Sequence, residues 1–133
     1  MSGVIIDQII LRELLEVSCP DIQNKFNQLN FNIDSISVQW LVSLFCQNLK
    51  FELVTLIWDI LFLDGTVVLF KTSIGILKYF KNDIINSNSF EDVYNILDKK
   101  VKMMNDTNYI TFNIIYKVYP FNIVVALCDH CQL

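Results

Sequence analysis

The spacing of the apolar residues is the feature that most restricts how this chain can fold. Through most of its 133 residues they recur with a period close to 3.6, the repeat of an α-helix. Glycine and proline, which interrupt helices, occur only three and two times. A helical repeat with so few breaks predicts an all-α fold rather than a sheet with a turn every ten residues or so.

The points where the repeat stops and restarts predict about seven helices. The last of them is read from residues 109–125, a stretch rich in β-branched and aromatic residues that would suit a strand by propensity alone. We interpret it as helix because the sequence offers no partner strand. The predicted helices span residues 4–17, 20–29, about 35–45, 51–63, 66–80, 90–101 and 109–125.

Several helix ends carry their own sequence signals. Asp34 or Ser35 is expected to cap the third helix. Gly65 is expected to end the fourth, since glycine is the usual residue in a left-handed helix end. Ser89 and Asp92 form a weak capping box before the sixth helix. These signals place the loops but not the helices relative to one another.

The apolar stripes also predict which side of each helix is buried. Lys71 and Lys78 are expected on the outer side of the fifth helix. Its inward residues are expected to be Leu69, Phe70, Ile76, Leu77 and Phe80. In the first helix the buried stripe is expected to contain Ile6, Ile9, Ile10, Leu14 and Val17.

Charge and hydropathy exclude two classes of protein. Ten basic against fourteen acidic residues give a formal net charge of −4, which argues against a nucleic-acid binder. The mean hydropathy is positive, at +0.43, yet polar residues interrupt every apolar run well before about 18 residues. The N-terminus lacks a basic region and carries Asp7 within its apolar part, so it does not resemble a signal peptide. We expect a soluble intracellular chain.

The residues that commonly perform chemistry are sparse. Cys46 follows an apolar helical pattern and is expected to be a small core residue. Cys128 and Cys131 flank His130, the single histidine, in a lone CxxC, whereas a structural zinc site needs four ligands. A weakly packed C-terminal tail explains this motif better than zinc does. With no glycine-rich phosphate loop either, we expect no cofactor, no metal and no active site of the chain's own.

Residues 37–70 are more informative, and they read SVQWLVSLFCQNLKFELVTLIWDILFLDGTVVLF. A tryptophan precedes an apolar stretch ending in Leu-Phe, and a Trp-Asp pair, a Phe, a Gly and an apolar helix follow. This order resembles the C-terminal part of the TBC domain, the catalytic domain of Rab GTPase-activating proteins, and the resemblance extends over roughly residues 4–117. The landmark residues are Trp40, Leu44, Phe45, Trp58, Asp59, Phe62, Gly65 and the run Val68-Leu69-Phe70.

The resemblance implies an orthogonal helical bundle like the C-terminal lobe of that domain. We expect the landmark residues Trp40, Phe45, Trp58, Asp59, Phe62 and Gly65 to be structural rather than catalytic, because aromatic residues at helical spacing usually lie in a core. Asp59 is expected to hydrogen-bond a neighbouring helix end or backbone amide, and Gly65 to stop its helix. The family commonly has a basic residue just before the Trp-Asp pair, where this chain has Leu56 and Ile57.

The family's catalytic parts, as the resemblance implies them, are an arginine finger in Ile-x-x-Asp-x-x-Arg and a glutamine finger in Tyr-x-Gln. Residues 5–12 contain Asp7 but have Ile10 at the arginine position. Arg12, the single arginine, lies two residues later and about 200° around a helix. No tyrosine is followed at the second position by glutamine. We therefore expect residues 1–133 to be one partial TBC domain, the C-terminal portion, without the N-terminal finger half.

Three hypotheses follow for function. The first is a fragment of a Rab GTPase-activating domain, acting in vesicle trafficking on a small GTPase of the Rab family but inactive alone. It would be cytoplasmic and associate with endomembranes only indirectly, through the GTPase. The second is a non-catalytic helical module that binds a small GTPase or another helical partner. The third is a helical scaffold for which the resemblance is a coincidence.

Overall fold

The computed structural model describes residues 2–111, and every regular element within that range is helical. This confirms the all-α prediction. The number of segments exceeds seven because the sixth predicted helix is divided by a π-helical turn and a short extra helix precedes it. The segments are α1 (Ser2–Ser18), α2 (Pro20–Gln28), α3 (Asp34–Val42), α4 (Phe51–Asp64), α5 (Val67–Tyr79), α6 (Lys81–Ile85), α7 (Phe90–Asn95), the π-helical turn Ile96–Lys100, α8 (Val101–Met103) and α9 (Thr107–Thr111).

Helix α5 lies at the centre of the described bundle and contacts α1, α3, α4 and α6. Its predicted inward residues are all buried, which confirms that stripe. Thr72 and Ser73 are buried as well, and their hydroxyls donate to the carbonyls of Val68 and Leu69, so neither adds an unsatisfied polar group to the core. Lys71 and Lys78, expected outside, are half-buried.

The buried side of α1 differs from the expected one. Ile10, Leu11, Leu14 and Leu15 are buried, whereas Ile9 is 40% exposed and Val17 54% exposed. The predicted stripe was therefore rotated toward solvent at two of its five positions. Adjacent apolar pairs leave the phase of an amphipathic helix ambiguous, and the contacts of α1 with α2, α3 and α5 decide it.

Helix α3 begins and ends differently from the prediction. Its first turn is capped by Asn32, whose Oδ1 accepts from the Asp34 backbone N–H at 3.0 Å, rather than by the side chain of Asp34 or Ser35. The helix ends at Val42, three residues before the predicted end at Phe45. The chain leaves the helix there because Leu44 adopts a left-handed backbone conformation.

Other helix ends agree with the sequence signals. Gly65, with φ +82°, ends α4, and its N–H donates to the Leu61 carbonyl at 2.9 Å. The Ser89 hydroxyl accepts from the Asp92 N–H at 3.2 Å, which confirms the capping box. Its return bond reaches one residue further, from the Asn88 N–H to the Asp92 carboxylate.

The predictions about membrane-spanning segments and about Cys46 have different outcomes. Among the helices of residues 2–111, none combines the length and apolarity needed to cross a membrane. Cys46, expected in the core, is exposed because it falls in the turn after α3 rather than in a helix. The Cys128, His130 and Cys131 motif, and most of the predicted helix 109–125, lie outside the described residues.

Candidate functional site

Four of the landmark residues, Trp40, Leu44, Phe45 and Trp58, meet around the turn between α3 and α4, residues 43–49, which we call the 43–49 turn. Trp40 and Phe45 have no exposed side-chain surface, and their ring centroids are 5.8 Å apart. Trp58 approaches from α4 and is half-buried. The sequence placed these residues on helical faces, but it gave no sign that the chain reverses at Leu44 and Phe45, directly after the helix that carries Trp40.

The 43–49 turn contains two consecutive residues with left-handed backbones. Leu44 has φ 52° and Phe45 has φ 65°. Residues with a side chain adopt this conformation at a cost of about 1–2 kcal/mol each, so the surrounding contacts must hold it in place. One of these contacts is the hydrogen bond from the Phe45 N–H to the Trp40 carbonyl, 2.9 Å long, as in a Schellman helix end.

Trp58 supplies a second restraint on the turn. Its indole Nε1–H donates to the backbone carbonyl of Leu44 at 2.9 Å. This bond joins residues fourteen positions apart and ties the middle of α4 to the strained part of the turn. The signal for it in the sequence is weak, because a tryptophan predicts burial but not the acceptor of its N–H.

Polar groups complete the turn. The Ser43 hydroxyl lies 2.7 Å from the Gln39 carbonyl and 3.3 Å from the Asn48 side-chain oxygen. Asn48 itself is almost fully buried. The Leu49 N–H donates back to the Phe45 carbonyl at 3.1 Å. The arrangement stabilises a chain reversal and offers no group positioned for acid–base or nucleophilic chemistry.

The other landmark residues lie apart from this turn. Asp59 is exposed, and within residues 2–111 its carboxylate makes no hydrogen bond, which corrects the bond expected of it. The helical phase explains this, since the residue after Trp58 points about 100° away from the turn. Phe62 is 81% exposed, although core packing was expected. Gly65 acts at the helix end.

The segment compared with the arginine-finger motif lies along α1. Ile10, at the arginine position, is buried in the core, where a guanidinium would be costly. Arg12 Nε lies 3.8 Å from an Asp34 carboxylate oxygen, in a partly exposed ion pair between α1 and the start of α3. Burial raises the pKa of the nearby Asp7 carboxyl.

The grooves of the described surface are open and are lined mainly by polar and charged residues. One of 820 Å³ runs between α2 and α6, and Lys81 forms an ion pair with Asp21 across it at 3.3 Å. Its lining has no histidine or cysteine. Within residues 2–111 no group of three or more histidine, cysteine or acidic side chains is arranged to hold a metal ion.

Comparisons with known proteins agree on one family. The model of the Rab-GTPase-TBC domain family matches residues 1–85. A TBC domain-containing protein of Schizosaccharomyces pombe is 33% identical over 72% of this chain, and the rat small G protein signaling modulator 3 is 27% identical over 80%. The chain spans only 12% and 14% of the lengths of these two relatives.

A solved structure gives the same result for the fold. The flagellar RabGAP TBC domain of Chlamydomonas superposes with a TM-score of 0.77 at 22% identity. The match covers 82% of this chain and 38% of that one. At this identity the likeness establishes the arrangement of helices and leaves activity to be argued from residues.

Proposed function

We propose that this chain, which belongs to the Rab-GTPase-TBC domain family, is the C-terminal portion of a domain that regulates Rab GTPases in vesicle trafficking. Its partner in this proposal is a GTP-loaded Rab protein, and it contacts endomembranes only through that GTPase, on the cytoplasmic side. We propose further that the chain alone does not accelerate GTP hydrolysis, so that it is not an enzyme activator in isolation.

The position of the single arginine carries the proposal of inactivity. A GTPase-activating protein supplies an arginine that stabilises the charge developing on the transferred phosphoryl group, worth about three to five powers of ten in rate. In the stretch of this chain that can be compared with the finger motif, the arginine position is taken by the buried Ile10, and Arg12 is paired with Asp34. Neither residue is placed as a finger would be, and the sequence has no Tyr-x-Gln to orient the attacking water.

The landmark residues have a structural role in this proposal. Trp40 and Phe45 fill the core beside the 43–49 turn, and Trp58 holds the Leu44 carbonyl. Their side chains thereby fix how α3 passes into α4. Gly65 then sets the direction in which α5 leaves α4.

The test is single-turnover GTP hydrolysis by a panel of purified Rab proteins, with and without this chain. We expect the intrinsic rate to be unchanged. A complete TBC domain carrying both finger motifs is the positive control in the same assay. An acceleration of about tenfold or more by this chain would overturn the proposal of inactivity.

The Arg12→Ala variant identifies the source of any acceleration. Arg12 lies in a partly exposed ion pair, so the variant should lose less than about 1 kcal/mol of stability. An acceleration that disappears in this variant would show that Arg12 acts as the finger. An acceleration that persists would come from another group of the chain.

The alternative function is a non-catalytic helical module that binds a small GTPase or another helical protein. The exposed apolar side chains of α4 favour it, since Phe51, Phe62 and Leu63 are each more than three-quarters exposed. Binding to a small GTPase is tested by passing Rab proteins, loaded either with GTP or with GDP, over the immobilised chain and measuring how much is retained. If none of them is retained in either state, binding to a Rab GTPase is excluded.

A further inference from the structure

Helix α4 carries the three most exposed large apolar side chains of residues 5–110. Phe51 is 77% exposed, Phe62 81% and Leu63 85%. Elsewhere in the described bundle, large apolar side chains of this kind are mostly packed into one core. Surfaces of soluble proteins rarely gather such residues without a partner to cover them.

Helical geometry orders one face of α4 into a stripe. Phe51, Trp58 and Phe62 are separated by seven and four residues, so they lie within about 40° of one another around the helix and span about 16 Å along it. Phe51 and Phe62 are exposed, whereas Trp58 is half-buried and its indole N–H is bonded to the 43–49 turn. We call these three residues the α4 stripe. Spacings of four and seven are those at which one helix presents apolar side chains to another.

One edge of the α4 stripe is acidic. Glu52 and Asp59 are both exposed and lie about 80–100° around the helix from Phe51, seven residues or two turns apart. Within the part of the chain that the structure describes, neither carboxylate forms an ion pair. Phe51–Asp64 contains no lysine or arginine. The face is therefore aromatic along its centre and negative along one side.

We propose that the α4 stripe and its acidic edge bind a basic amphipathic helix of another protein. The partner presents apolar side chains at spacings of four and seven, and lysines or arginines about two turns apart along one flank. Its apolar side chains cover the stripe, and its cations face Glu52 and Asp59. This inference rests on the alternative function given above, a module that binds another helical protein, and it does not depend on Rab binding or on the finger residues.

Charge distinguishes this partner from the other two that an apolar face suggests. In an antiparallel two-fold pairing of copies, each stripe meets its own equivalent, and Glu52 of one copy comes close to Asp59 of the other. An anionic membrane surface is repelled by the same two groups. A helix with basic flanks gains attraction from both carboxylates while burying the aromatic rings.

The experiment uses a defined probe. It is a fluorescent 18-residue peptide with leucines at heptad positions a and d and lysines at e and g, titrated with this protein and followed by anisotropy. The comparison peptide has glutamate at e and g. We expect the lysine peptide to bind at least about tenfold more tightly and to weaken with added salt. Equal affinities for the two peptides would overturn the charge argument.

Variants locate the binding face. Phe62→Ser removes an exposed ring, so it should keep the fold and weaken binding by about tenfold. Met103→Ser is the matched control, because Met103 is 75% exposed but lies on α8. Asp59→Lys should reduce or reverse the preference for the lysine peptide.

Three further results would overturn the proposal. The first is unchanged binding by Phe62→Ser, with its fold confirmed by circular dichroism. The second is concentration-dependent dimerisation of the chain, seen in sedimentation, that Phe62→Ser abolishes, because it would make a second copy the occupant. The third is binding to phosphatidylserine vesicles that Phe62→Ser abolishes, because it would make the occupant a membrane.

Discussion

Helices α4 and α5 are neighbours of similar length, and both are strongly apolar, yet they occupy opposite environments. Nine of the 13 residues of α5 are buried, but only four of the 14 residues of α4. Helix α5 is surrounded by α1, α3, α4 and α6, whereas α4 packs mainly against α5 and α9. Apolar content alone therefore does not decide which helix forms the core. The number of neighbouring helices decides it.

The largest effect should come from one leucine in each helix. Leu77→Ala in α5 should reduce the free energy of unfolding by about 2–5 kcal/mol, because the fully buried side chain leaves a cavity among packed neighbours. Leu63→Ala in α4 should change it by less than about 0.5 kcal/mol, because Leu63 is 85% exposed. Urea unfolding measures both. Similar losses in the two variants would contradict the contrast between the helices.

A smaller effect should come from Trp58, which joins α4 to the 43–49 turn. Trp58→Phe keeps an aromatic ring but removes the donor to the Leu44 carbonyl, so it should cost about 1 kcal/mol. The variant leaves the left-handed conformation of the 43–49 turn with one restraint fewer. Proton NMR gives a second readout, since the Trp58 indole N–H should exchange slowly in the unaltered chain. Rapid exchange there would indicate that the bond is not maintained in solution.

The last effect concerns Tyr109, which joins the two helices, and it is seen only at high pH. It belongs to α9, which packs against α4, and its hydroxyl donates to the Gly75 carbonyl of α5 at 2.8 Å. Burial raises the pKa of Tyr109 to about 12, from an ordinary value of 10.0. The folded state thus holds its phenolic proton more tightly than the unfolded chain does. This contribution to stability is complete below pH 10 and is lost as the pH rises through 12.

Chemical unfolding at a series of pH values isolates that contribution. We expect the free energy of unfolding of the unaltered chain to fall more steeply between pH 10 and 12 than that of Tyr109→Phe. The phenylalanine variant keeps the ring and lacks the ionisable group. Identical slopes in the two proteins would show that Tyr109 does not link α9 to α5 in this way.

Local signals in the sequence predicted much of the fold. The ends marked by Pro20, Gly65 and Ser89 were predicted correctly, since capping and backbone preference involve only neighbouring residues. The end of α3 was not. Leu44 and Phe45 continue the helical pattern of apolar residues, and their left-handed backbones depend on contacts with Trp40 and Trp58.

The candidate site was predicted in part for the same reason. The sequence singled out Trp40, Phe45 and Trp58, and the structure brings them to one turn. The sequence also marked Phe62 and Asp59 as structural landmark residues, but both lie on the exposed side of α4. A motif groups residues by their order along the chain, whereas helical phase separates them in space.

The sequence by itself determined that this chain is helical, where most helices begin and end, and that its single arginine does not stand in a finger motif. The first two properties follow from composition, periodicity and spacing, which act over a few residues. The third comes from comparing residues 5–12 with the motif that the family resemblance implies. Only the tertiary structure decided which face of α1 is buried, that α5 rather than α4 forms the core, and that the chain reverses at Leu44 and Phe45. Each of these depends on contacts between helices, and no local pattern encodes which neighbours a helix will meet.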